Sequence, residues 1–383
     1  MAPMKVLLTG ASGYVGQFLL ESFIANPPLL LTGTSDEHPK EYLIHAIHRS
    51  NPSLESAVER MRQQQQQQSK VNIQVDCIDI ANNEEITEFL ATNGPMDICI
   101  HTAAISSPKA CTENPELTRR INVPVALFDA LLSQTNPTKI IALSTDHVYD
   151  GMGAPYTNES TDKTNPMNDY GKSKLEMETY LKNKSREKEV QNRKHQIHIL
   201  RPTVIFGPKP PFAQLGVNTN RETFLHFIAS RKNTNSLTDF YVDEHRNPLS
   251  VRDLVAILRY FVLEDNNNNS NNNNNEKNNN TDDSCDRVVQ IYNVCGPESC
   301  SRYDMAASVL EHLGVTEHLA HIRAVRKSEL SPKPAIQAPV DLEISCEKIS
   351  NKIGAALKQF TTFEQILIDT FGEKAAYVGV HQT

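Results

Sequence analysis

The chain contains no tryptophan, and aromatic residues make up only 6% of its 383 positions. That is too few for a surface that works by stacking bases or sugar rings. An excess of basic charge is also missing: 46 acidic residues against 38 basic ones leave a formal charge of −8, with an isoelectric point near 5.9. A nucleic-acid binder needs a basic footprint to displace counterions, so that class is set aside. No stretch approaches the run of about 18 apolar residues that a membrane helix requires. The N-terminus passes from Met1 through Lys5 directly into a glycine-containing turn, without the apolar core of a signal peptide. A soluble, cytoplasmic protein with no membrane association is expected.

Cysteine and histidine are present but unorganised. The seven cysteines, at 77, 99, 111, 285, 295, 300 and 346, include no CxxC pair, and the thirteen histidines include no HExxH. An odd cysteine count in an intracellular chain reads as free, mostly buried thiols, and no metal site is expected. What the chain does have is apolar mass, 39% of its length, which is enough for a substantial core. Two low-complexity tracts, Gln63–Gln68 and Asn266–Asn280, lie between helical and strand patterns. Neither can bury enough apolar surface to offset the entropy of ordering it, so both read as disordered surface insertions.

Between these tracts, strands and helices alternate. Lys5–Leu8, Tyr42–His48, Val71–Ile78, Asp97–His101, Lys139–Ser144 and Ile197–Leu200 read as strands. Gly16–Ile24, Asn122–Leu132 and a long polar segment from Tyr170 read as helices. Further helices are expected near Arg221–Ser230, Val251–Leu263 and Arg302–Leu313. Strands spaced by helices imply right-handed crossovers and a parallel sheet covered on both faces. The predicted fold class is α/β, a Rossmann-type doubly wound parallel sheet with a smaller α/β C-terminal substrate lobe. Residues 1–200 form the first unit and 201–383 the second, with a strand over 286–294 returning to the sheet.

The segment Thr9-Gly10-Ala11-Ser12-Gly13-Tyr14-Val15-Gly16 joins the first strand to the first helix. Glycines so spaced let backbone N–H groups approach a pyrophosphate at the positive end of a helix and let that helix pack closely on the strand. Gly10, Ser12, Gly13, Tyr14, Val15 and Gly16 are therefore candidate cofactor contacts. The second strand ends in His48-Arg49-Ser50, a cation and a hydroxyl where an NAD reader usually carries an acid for the ribose 2′-hydroxyl. Arg49 and Ser50 thus favour NADP; with Asp36 supplying the acid instead, NAD stays open.

Tyr170-Gly-Lys-Ser-Lys174 opens a helix and sets a phenol and an ammonium four residues apart on one face. A phenol stays protonated to a pH of about 10 and needs a nearby cation to act as an acid near neutrality. Thr145, at the end of an apolar strand, offers a hydroxyl for a substrate carbonyl. Taken in order, the TGxxGxxG turn, His101-Thr-Ala-Ala104, Asn122-Val123, Ser144-Thr-Asp-His-Val-Tyr149, Tyr170-Gly-Lys-Ser-Lys174, Arg201-Pro202, the segment 243–254 and Asn293-Val-Cys-Gly296 cover nearly the whole chain. Through them it resembles the extended short-chain dehydrogenase/reductases, specifically the dTDP-4-dehydrorhamnose reductase-like branch. That branch includes proteins similar to the regulatory β subunit of methionine adenosyltransferase.

The resemblance implies that Thr145 orients the carbonyl and that Tyr170 exchanges the proton. It implies that Lys174 lowers the tyrosine pKa and holds the nicotinamide ribose, and that Asn122 steadies Lys174 through water. It extends the cofactor contacts to Asp79, Ile80, Ala103 and Ala104, and assigns Arg246 to a substrate diphosphate. Read from its residue type alone, Arg246 is equally a salt-bridged surface arginine. Where sugar-nucleotide members tend to carry Arg-Pro, this chain has Lys333-Pro334, with Arg323 and Arg326 nearby to compensate. Two readings follow. One is an NADP-dependent oxidoreductase reducing a ketone on a sugar or sugar-nucleotide-like small molecule. The other is an NADP-binding regulatory subunit partnered by the methionine adenosyltransferase catalytic subunit. A homodimer is compatible with both.

Overall fold

The computed structural model describes residues 2–25, 41–64, 71–159, 161–217, 223–234, 236–264, 288–315, 320–357 and 359–374. Gln65–Gln68, the whole asparagine tract and Asp36 lie outside them. Six strands lie between residues 4 and 202: β1 (Met4–Thr9), β2 (Tyr42–His48), β3 (Val71–Cys77), β4 (Ile98–His101), β5 (Lys139–Leu143) and β6 (Gln196–Pro202). A last strand, Val289–Val294, returns beside β6. Together they form a seven-stranded sheet among the described residues, in the order last strand, β6, β5, β4, β1, β2, β3. Every neighbouring pair is parallel. Apolar, β-branched runs such as Lys139–Leu143, buried at all five positions, are what a strand covered on both faces requires.

Helices cover both faces. One face carries α1 (Tyr14–Ala25) and α2 (Leu54–Gln64). The other carries α3 (Asn83–Asn93), the short α4 (Pro108–Glu113) and α5 (Pro115–Asn122), then α6 (Val125–Leu132) and α7 (Asp169–Ser185). Phe18, Leu19, Phe23, Leu54 and Val58 form one core with Leu8, Ile44 and Ile100 of the sheet. Phe89, Leu127, Phe128, Leu131, Met177 and Leu181 form the other with Leu7, Ile140 and Ile199. Truncating a fully buried ring such as Phe128 to alanine costs about 3–5 kcal/mol.

The expected continuous helix over Asn122–Leu132 is corrected to two. Pro124 lacks an N–H and disfavours helical geometry at Val123, so α5 stops at Asn122 and α6 restarts at Val125. Helices α2 and α3 carry too few apolar positions to stand out by periodicity. The start of α3 is marked instead by Asn82, whose side chain caps Glu84 and Glu85 N–H groups.

Beyond the short α8 (Lys188–Asn192) and β6, the chain adds α9 (Phe224–Arg231), α10 (Val251–Leu263), α11 (Arg302–His312), α12 (Glu347–Ile353) and α13 (Phe363–Phe371), and α9, α11 and α13 build a smaller core. Strands Thr238–Tyr241 and Ile322–Val325 pair in parallel there. Phe206, Leu225, Phe240, Met305, Leu310 and Phe363 form its centre. Helix α10 belongs to the large sheet instead, packing Leu254, Ile257 and Phe261 into the α1 core. No helix among the described residues is long and apolar enough to cross a membrane.

Candidate active site

The chain leaves β1 for β2 on one side and resumes with β4 on the other, so a crevice opens at the carboxyl edge of the sheet. The glycine turn sits at that edge. Gly10 has φ +72°, and a Cβ on it would come 2.7 Å from the Ala103 nitrogen. A Cβ on Gly16 would fall 2.3 Å from the Gly10 oxygen, so only glycine lets α1 start so close to the turn. Gly13 differs: its Cβ would meet only the Gly10 oxygen, at 3.0 Å, and otherwise faces open space. The positive end of α1, beginning at Tyr14, faces the same space.

The flanks of the turn are tied down. Ala11 N–H donates to Ile47 at 3.1 Å, joining the turn to the end of β2, beyond which Arg49 and Ser50 are exposed. Thr9 Oγ1 pairs with His101 Nδ1 at 2.8 Å and accepts from Ala103 N–H, which sets the half-buried Ala103 and Ala104 beside the turn. Burial, then the Lys174 charge, keep His101 neutral well below the usual histidine range. Val15 packs against the α1 core. Asp79 is used locally, accepting from Ala81 N–H at 3.0 Å, and Ile80 is buried in the α3 core. The Tyr14 hydroxyl donates to Pro208 at 3.0 Å. Gln17, absent from the expected set, is fully buried. Its Nε2 donates to the Ser12 carbonyl at 2.8 Å and its Oε1 accepts from Phe212 N–H at 3.0 Å.

Two strands along, β5 delivers Ser144 and Thr145 to the same edge. Thr145 Oγ1 accepts from His147 N–H at 3.2 Å and donates to Asp146 Oδ1 at 3.1 Å. Helix α7 begins against this turn. Asn168 caps it, accepting from Gly171 N–H at 2.9 Å while donating to His147 Nδ1 and to the Gln337 carbonyl. A Cβ on Gly171 would lie 2.2 Å from the His147 carbonyl oxygen, so the glycine between Tyr170 and Lys172 is what allows the approach. The Tyr170 ring meets His147 edge-on, with centroids 5.7 Å apart.

One turn on, Lys174 is 1% exposed and its Nζ donates to the Leu143 carbonyl at 2.7 Å. Burial brings its pKa down to about 8. Asn122 reaches this helix at Ser173. Its side chain accepts from Ile105 N–H, and its Nδ2 donates to the Ile105 carbonyl and to Ser173 Oγ at 2.9 Å. It therefore braces the residue before Lys174.

Other motif residues form a scaffold under the site. Arg201 forks onto Glu178 at 2.9 and 2.7 Å and donates to the Tyr149 hydroxyl at 2.8 Å. Ser144 Oγ donates to the same carboxylate, and Tyr149 donates to Asn293 Oδ1. Three of the ordered motifs thus meet, around Glu178 of α7, in one buried network.

Arg246 lies elsewhere than on an open substrate surface. It is 1% exposed, and its guanidinium donates to the carbonyls of His245, Pro339 and Val340. Its Nε has no hydrogen-bond partner and lies 3.9 Å from Asp146 Oδ2, itself unpartnered. Beside it, burial would raise the Glu244 carboxyl, but Arg302, Arg246 and Lys327 hold it down at about 2. Lys327, which the motifs did not single out, enters this cluster at 2.5 Å from Glu244. The residues expected to compensate for Lys333 are occupied at the surface: Arg323 forks onto Asp239 and Arg326 lies 3.7 Å from Glu329. Lys333 itself is exposed.

A family model described as the RmlD substrate binding domain matches residues 4–371. Among curated proteins, the methionine adenosyltransferase 2 subunit beta of Rattus norvegicus is 22% identical over 349 residues, 90% of this chain and 81% of its own length. The probable low-salt glycan biosynthesis reductase Agl14 of Haloferax volcanii is 31% identical over 104 residues, 26% of this chain and 34% of its own. Among solved structures, a dTDP-4-dehydrorhamnose reductase from Bacillus anthracis in complex with NADP superposes with a TM-score of 0.61 at 16% identity, covering 95% of this chain and 97% of that one. A UDP-glucuronic acid 4-epimerase from Bacillus cereus in complex with UDP-glucuronic acid and NAD gives 0.64 at 17% identity, covering 96% and 97%. These superpositions show the fold.

Proposed function

The chain belongs to the RmlD substrate binding domain family, and from that premise we propose that it is an NADP-dependent reductase of a ketone on a sugar or sugar-nucleotide-like substrate. What supports this reading is that Thr145 and Tyr170 both contact His147, and Lys174 bonds the Leu143 carbonyl two residues before Thr145, at the sheet edge that also holds the glycine turn. A dinucleotide fits the turn: the open side of Gly13 and the positive end of α1 leave room and field for a pyrophosphate. Gly10, Ser12, Gly13, Tyr14, Val15 and Gly16 would hold it, with Ala103 and Ala104 alongside. When bound, the nicotinamide supplies the hydride.

The chain's own groups handle the proton. Tyr170 donates to the carbonyl oxygen, and Lys174, an ammonium in a water-poor site one helical turn away, favours the phenolate that remains. Thr145 can turn its proton from Asp146 to the same oxygen while keeping the bond from His147 N–H. Tyr170→Phe deletes the proton donor and leaves the turn intact. With NADPH and a panel of 4-keto sugar nucleotides, its turnover should fall by about 10²–10⁴ at nearly unchanged NADPH affinity. Full activity in this variant would overturn the roles given.

The NADP preference rests on Arg49, with Ser50 beside it, both exposed beyond β2. A charge-assisted hydrogen bond contributes about 1.5–3 kcal/mol, so Arg49→Ala should weaken NADPH binding by roughly one to two decades and spare NADH. Equal losses in a fluorescence titration would rule out this contact. A second reading is supported by the alignment of 90% of this chain with a methionine adenosyltransferase subunit: a cofactor-holding subunit of that enzyme with little turnover of its own. Capture of the adenosyltransferase catalytic subunit at one-to-one stoichiometry, with no ketone reduced, would select it.

A further inference from the structure

We propose that Cys295 and Cys346 form a peroxide-sensitive thiol pair, in which Cys346 is oxidised first and Cys295 closes onto it as a disulfide. Cys295 follows the last sheet strand and is 2% exposed. Its Sγ donates to the Ile344 carbonyl at 3.2 Å, two residues from Cys346. Cys346 packs against the same cluster of Val148, Tyr149, Tyr156, Leu342 and Ile344 in which Cys295 is buried, and it is half-buried, within reach of a small oxidant. Ser350 Oγ lies 3.8 Å from its sulfur. Interaction with each other raises the Cys295 pKa and lowers that of Cys346, the more exposed of the two. The pair therefore divides into an attacking and a resolving sulfur.

The remaining described cysteines are differently placed. Cys99 and Cys111 are buried, Cys300 is raised by burial, and Cys77 is exposed with its Sγ donating to the Arg49 carbonyl.

The chemistry balances with hydrogen peroxide as oxidant. The Cys346 thiolate attacks one peroxide oxygen, the O–O bond breaks, and a sulfenic acid forms as hydroxide leaves and is protonated to water. Cys295 then gives up its proton and attacks the sulfenic sulfur. An S–S bond forms, the S–O bond breaks, and the departing hydroxide takes the proton to become a second water. Two thiols are oxidised and one peroxide is reduced. The bond closes a loop of 51 positions (346 − 295) that contains α11 and the Pro339–Val340 carbonyls holding Arg246.

The test uses the full chain without cofactor, so it is independent of the proposed reductase activity. Reduced protein treated with stoichiometric hydrogen peroxide should lose two of its seven thiols to Ellman's reagent after denaturation. Non-reducing digestion and mass spectrometry should give a Cys295–Cys346 cross-linked peptide. Because the thiolate is the nucleophile, the loss should slow at least about tenfold from pH 7.5 to pH 5. In Cys295→Ala, dimedone should trap a sulfenic acid at Cys346. Oxidation of wild-type Cys346 straight to the sulfinic acid, cross-linking to a different cysteine, or no reaction at Cys346 under conditions that oxidise Cys77 would each overturn the proposal. The wild-type measurement decides even if the variant fails to fold.

Discussion

Two arginines, each taken from a sequence motif and each almost wholly inaccessible, have opposite surroundings. Arg201 faces a carboxylate that matches its fork, and both partners are bonded further, Glu178 by Ser144 and Arg201 by Tyr149, which in turn donates to Asn293. Glu178 accordingly raises the Arg201 pKa above its ordinary value, against burial. Arg246 spends its guanidinium on carbonyls, leaves Nε unpartnered and shares Glu244 with Arg302 and Lys327. Burial first, then the Arg302 charge, lower its pKa. A buried charge is stabilising only when geometry and hydrogen bonds compensate its desolvation. Arg201 meets that condition, whereas Arg246 shares its nearest carboxylate with two other cations and leaves Nε without a hydrogen bond.

The largest test of the contrast is Glu178→Ala. It strands the Arg201 charge, and breaking such a pair costs about 3–5 kcal/mol, to be read as a fall in the urea midpoint at unchanged slope. A loss below about 1 kcal/mol would erase the distinction between the two arginines. Arg246→Met should cost less, about 1–3 kcal/mol, because Arg302 and Lys327 remain to neutralise Glu244 while three carbonyls lose a donor. The same urea experiment checks the order of the two.

Lys174 is a third buried cation, hydrogen-bonded to a carbonyl oxygen, and its effect is one of slope. In the folded chain it releases its proton near pH 8, while in the unfolded chain it keeps it to about 10.4. Between those values the unfolded state binds more protons, so this group's contribution to stability rises with pH. The melting temperature of wild type relative to Lys174→Met should therefore climb from pH 8 to pH 10 and stay level from pH 6 to pH 7.5. A flat difference throughout would show that the ammonium is solvated.

Much of the framework was legible because it rests on local periodicity and local chemistry. The strand from Tyr42 to His48, the glycine turn, helix α10 and the spacing of Tyr170 and Lys174 are properties of short windows. What escaped the reading depends on partners far along the chain. Gln17 is an unremarkable helix residue until Phe212, 195 positions away, donates to it. Lys327 looks like any surface lysine until Glu244 and Ala338 surround it. The inward turn of Arg246 is decided by carbonyls 93 and 94 residues later. The break at Val123 was visible in Pro124 but masked by the apolar run on its far side.

Glu178 follows Lys174 as Lys174 follows Tyr170, at steps of four along α7. The three heads occupy one stripe about 12 Å long. The last is bolted to β6 through Arg201, so it acts as a rotational stop for the helix. One residue inserted between Lys174 and Glu178 would swing the phenol and the ammonium by about 100° around the axis while leaving the bolt in place. The angular setting of Tyr170 and Lys174 is thus indexed from an ion pair lying below the crevice.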